Sequence, residues 1–87
     1  MAFITSEQIR AARAIIRVTV AELSAKSGVG VATIKRMEAA SGLPSAHVKT
    51  LSQIQSTLEK LGIEFIGSPE DGPGVRLIIK KSLEDQT

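Results

Sequence analysis

Very little in this chain is equipped to make or break a covalent bond. There is no cysteine, and His47 is the only histidine. A zinc centre needs three or four donors drawn mainly from histidine and cysteine, so the usual metal sites cannot be assembled. A serine triad needs a base oriented by an acid; serines are plentiful, but no carboxylate stands beside His47. Gly72-Pro73-Gly74 has the composition of a phosphate-cradling turn, yet no Gly-Lys-Ser/Thr follows and no helix opens there. It reads as part of a hairpin loop over 67–74. These absences predict a protein that is not an enzyme and carries no cofactor.

What the chain does carry is positive charge, unevenly placed. Residues 1–61 hold Arg10, Arg13, Arg17, Lys26, Lys35, Arg36, Lys49 and Lys60 against Glu7, Glu22, Glu38 and Glu59. Residues 62–87 hold more acids than bases, so the net charge of +2 hides a basic first two-thirds. Such a distribution suits a polyanionic partner. At 43 % hydrophobic and 23 % charged the composition is that of a globular domain. The longest apolar runs fall far short of the ~18 residues of a membrane span. Met1-Ala2-Phe3-Ile4-Thr5-Ser6-Glu7 lacks the basic-then-apolar order of a secretory leader. The expectation is a cytoplasmic protein with no membrane contact and no small-molecule effector.

Eighty-seven residues permit one domain with a thin core, which dimerisation would help. Turn residues divide the chain into helices and a hairpin. A first helix is expected over 6–16, capped by Thr5 or Ser6, with Ile9, Ala12, Arg13 and Ile16 on one inward stripe. Thr19-Val20-Ala21-Glu22 is a capping box that opens a second helix, ended by Gly28. A third helix follows Gly30 and runs from Val31 to about Ala40. Ser45 is expected to cap a fourth helix through Leu61, with Val48, Leu51, Ile54, Leu58 and Leu61 on its apolar stripe. Strands are expected at 63–66 and 75–79.

The helices at 19–27 and 31–40, with a glycine turn between them, form a helix-turn-helix pattern. Leu23, Val29, Ile34 and Met37 would fix the two axes, leaving the outer face of the second helix free to enter a major groove. On that helix the candidates for contact are Val31, Ala32, Thr33, Lys35 and Arg36. Arg17, Lys26 and Lys49 flank it by position as phosphate contacts, and Thr19 and Val20 at the start of the second helix join the DNA-binding candidates.

Arg10-x-x-Arg13, and then the run Thr19 to Glu38, resemble the Cro/Xre phage-repressor-type helix-turn-helix family over about residues 6–61. Leu23, Gly28, Val29, Ile34 and Glu38, with Arg13 upstream, carry the resemblance. It implies a mainly α, four-helix lambda-repressor-like domain in residues 1–62. It also implies a sequence-specific regulator that binds double-stranded DNA, acting as a homodimeric repressor on a palindromic operator. Arg13 and Glu38 would pair structurally. The chain departs from the family pattern at Val20, where Gln is common, at Ser24, at Ala39-Ala40, and in placing a hairpin where a fifth helix usually stands. Residues 63–81 are then expected to dimerise through Leu58, Leu61, Ile63, Phe65, Ile66, Val75, Leu77 and Ile79, with 82–87 a flexible tail. The alternative is a protein-interaction module, such as an antitoxin-like partner.

Overall fold

Two reciprocal caps start the structure. The Thr5 hydroxyl accepts from the Gln8 N–H at 3.1 Å while the Thr5 N–H donates to Gln8 Oε1 at 2.8 Å. Thr19 and Glu22 repeat the exchange at 3.0 and 2.8 Å. Each cap satisfies two amides that a helix start would otherwise leave unpaired. The computed structural model describes residues 3–79. Its elements run α1 (Ser6–Ile16), α2 (Val20–Ser27), α3 (Val31–Ala39), α4 (Val48–Lys60), β1 (Ile63–Ser68) and β2 (Asp71–Leu77). The architecture is mainly α with a two-stranded antiparallel hairpin. The tail expected at 82–87, and residues 80–81 of the expected dimerisation segment, lie outside the described residues.

The core gathers Ile4, Ile9 and Ala12 with Leu23, Val29, Ile34 and Met37, then Leu51, Ile54 and Leu58 of α4, and Ile63 of β1. Phe65 and Val75 lean on it from the hairpin. The four residues expected to fix α2 against α3 are therefore all buried. Val48, expected on the inner stripe of α4, is instead exposed.

Three expectations change in the structure. First, α4 starts at Val48 with His47 as its cap, not at Ser45. Ala46 packs against the core and His47 is still extended at φ −65° and ψ 147°, so the helix does not begin until Val48. Second, 67–74 is no open loop. β1 continues to Ser68, the turn is confined to Pro69 and Glu70, and β2 spans Asp71–Leu77 rather than 75–79. Gly67 (φ 75°) permits this: a Cβ there would lie 2.1 Å from the Gly72 carbonyl oxygen. The glycines bring the strands together at a register irregularity between Ile66 and Ser68. Third, Leu58 and Ile63 are not surface residues. They are 0 % and 3 % exposed inside the chain's own core, because the hairpin folds back onto α1 and α4. The two side chains expected at a dimer contact are thus taken up by the chain's own core.

Candidate nucleic-acid interface

α3 presents two unlike faces. Ile34, Met37 and Glu38 point inward and are buried, whereas Val31, Ala32, Lys35 and Arg36 are exposed and Thr33 is half-buried. A period of 3.6 residues puts the exposed set on one side. The helix opens at Gly30 with no side-chain cap and no acid in its first turn, so its positive end carries no counter-charge of its own.

Three α1 side chains hold the other end of α3 and the turn that follows it. Arg13 grips Glu38 with both prongs, Nε to Oε2 and Nη2 to Oε1, each at 2.8 Å. Its Nη1 donates to the Val18 carbonyl at 3.1 Å. Glu38 is 8 % exposed and Arg13 26 %, so the pair is mostly shielded from water, where such a fork is strongest. The hydrogen bonds to Glu38 raise the Arg13 pKa above its ordinary value, so it keeps its proton. Arg10 Nη1 donates to the carbonyls of Glu38 and Ala40, the latter at 3.1 Å, meeting acceptors that a helix end leaves free. Glu7 accepts from the Gly42 N–H at 3.0 Å and from Ser41 Oγ at 3.1 Å. Its own N–H, then that of Gly42, lowers its pKa. The Thr19 N–H and then its hydroxyl lower that of Glu22.

The flanking residues divide. Lys26 and Lys49 share a shallow groove between α2 and α4, with Ser27, Ser52, Gln53 and Lys60. Thr33 and Arg36 line a second groove with Ser45, Ala46, His47 and Thr50. Arg17 is exposed at the end of α1. Val20 does not belong to the contact face: it packs against the core, as an apolar residue in a helix's first turn readily does. The Thr19 hydroxyl already serves the cap. Arg13 and Glu38 meet as expected.

Sequence reasoning missed four contributors. Glu7 was legible only as a charge and Arg10 only as a member of Arg10-x-x-Arg13, although with Arg13 they recur every third residue on α1, which was the available signal. Ser45 and Thr50 were masked by placing the α4 start too early. The first turn of α4 holds no acid and the His47 side chain accepts no cap bond from it, so its positive end is likewise uncompensated. Among the described residues no cluster of histidines and carboxylates suits a metal, and no helix is long and apolar enough to cross a membrane. Comparisons with family models and with curated proteins each find no match.

Proposed function

We propose that this chain is a sequence-specific regulator that binds double-stranded DNA through a lambda-repressor-like helix-turn-helix, as the resemblance to the Cro/Xre family suggests. One observation carries the reading. The nine residues of α3 are clamped at their C-terminal end by Arg10 and Arg13, with Glu7 holding the exit at Ser41 and Gly42, while the outer face bears Lys35 and Arg36. A helix fixed from behind and basic in front is what insertion into a major groove requires.

Lys35 and Arg36 would read base edges or the adjacent phosphates, and Val31 and Ala32 would meet thymine methyl groups. Lys26, Lys49 and Arg17 would set register on the backbone without reading sequence. Two copies on a palindrome would place their α3 helices about one DNA turn, ~34 Å, apart. Repression would then be occupancy of a promoter by a cytoplasmic homodimer.

Selection of bound sequences from a random duplex pool tests this. A palindromic motif is expected, and Lys35→Ala is expected to lose roughly 1–3 kcal/mol of discrimination at one base position while melting as the wild type does. No enriched motif would overturn the reading and favour a protein-interaction module.

A further inference from the structure

The outward side of α3 is chemically narrow. Val31, 38 % exposed, and Ala32 lie in its first turn, and Lys35 and Arg36 stand one turn behind them, at i, i+4. The other polar side chains of the helix are turned away or taken. Both carboxylate oxygens of Glu38 sit in the Arg13 fork, and that side chain is 8 % exposed. Thr33 is half-buried and lines the groove toward α4 with Ser45 and Thr50. No carboxylate and no carboxamide therefore remains on the face that would enter a major groove.

That inventory limits what the helix can read. In the major groove adenine is recognised by a bidentate Asn or Gln, and the cytosine amino group by a carboxylate acceptor. The outward side of α3 offers neither. Guanine shows two acceptors, which suit Lys35 and Arg36, and thymine adds a C5 methyl, which suits Val31 and Ala32. Four helical residues advance about 6 Å, and successive bases on a strand are about 3.4 Å apart. A methyl contact at Val31 or Ala32 and a guanine contact at Lys35 or Arg36 thus fall within about two base steps of each other.

We propose that α3 recognises a C5-methylated pyrimidine close to a guanine, and that it reads the methyl group rather than the base carrying it. 5-Methylcytosine then serves in place of thymine. The two bases share the methyl and differ beside it, in a carbonyl against an amino group. Val31 and Ala32 have no side-chain donor or acceptor to tell those apart. The one carboxylate of α3 that could favour the amino group is locked to Arg13. A cytosine at this place is unread when bare and read when methylated, so methylation of the DNA raises affinity for such a site. This specificity rests on the proposed DNA binding and names the ligand chemistry of its recognition helix.

Matched duplexes isolate the methyl. The starting duplex is the motif that the wild-type chain enriches from a random pool, and a thymine near a guanine is expected in it. Replacing that thymine with deoxyuridine removes one methyl and leaves base pairing intact. Replacing the same pair with C·G, and then the cytosine with 5-methylcytosine, restores the methyl on another base. Affinity is expected to fall roughly three- to ten-fold with deoxyuridine, and to rise by a similar factor from cytosine to 5-methylcytosine. Val31→Ser combined with Ala32→Ser should erase both differences while the preference for guanine and the melting temperature stay. Equal wild-type affinity within either matched pair, differences that survive the serine variant, or a motif without thymine near guanine would each overturn the proposal and leave DNA binding standing. The wild-type duplexes decide it even if the serine variant fails to fold. Absence of any enriched motif would remove the DNA reading and the methyl specificity together.

Discussion

Arg17 holds φ 57° and ψ 42°, the left-handed region, and it is the one non-glycine residue with positive φ among those described. An arginine there costs on the order of 1 kcal/mol that a glycine would not. Arg17→Gly is therefore expected to melt at or above the wild-type temperature, yet to bind every DNA sequence more weakly and with a salt slope shallower by about one phosphate contact. Unchanged affinity in a salt titration would remove Arg17 from the interface. Glu38 behaves oppositely. Glu38→Ala leaves the Arg13 guanidinium without its acceptor, and the expected loss is about 3 kcal/mol, the lower end for a broken buried pair because Arg13 keeps some access to water. Denaturant unfolding measures it, and DNA affinity should fall only as the folded fraction falls. Acid acts through Glu7 and Glu22, whose pKa values are lowered in the fold. Their contribution is complete above the ordinary glutamate pKa and drains away as pH falls from there through the lowered values. Melting temperature should thus be level near neutrality and decline in acid. Glu22→Gln, which keeps the cap acceptor, should flatten that decline.

Among the elements, those with local causes were legible. Thr5-x-x-Gln8 and Thr19-x-x-Glu22 announce two helix starts because both cap partners lie within four residues, and the alternation of Ile34, Met37 and Glu38 with Lys35 and Arg36 gives α3 its two faces. The start of α4 was not legible, since Ala46 packs against a core drawn from the rest of the chain. Nor was the enclosure of Ile63, which depends on where the hairpin lands. Gln8 decides that landing. Besides its cap, its Nε2 donates to the Ile66 carbonyl at 3.1 Å and the Gly74 carbonyl at 2.8 Å, one on each strand. Nothing in a capping-box sequence signals a second duty 58 residues away. Gln8→Glu would keep the cap acceptor but bring a carboxylate against two carbonyls, so it should cost roughly 1–3 kcal/mol. Hydrogen exchange should show amides of 63–77 losing protection before those of the helices. Equal loss everywhere would mean that the amide does not hold the hairpin.

For the molecule as a whole, the separation of charge along the chain bears on how binding responds to salt. If six to ten phosphates are met by two copies, affinity should fall by roughly three to five decades between about 50 and 200 mM salt, and a flat response would sink the DNA reading. Lys49→Ala should lower affinity for all sequences alike. α1 stands at the centre of this arrangement. Glu7, Arg10 and Arg13 brace α3 and its exit, while Gln8 braces the hairpin. None of Val31, Ala32, Lys35 or Arg36 takes part in either brace. On the proposed DNA reading, the vocabulary of the protein and its grammar would thereby be kept in separate places: base preference would be rewritten at those four positions, while the framework that sets them, α1 and its braces, would stay unchanged. A library randomised at the four positions should yield new motifs in the old framework.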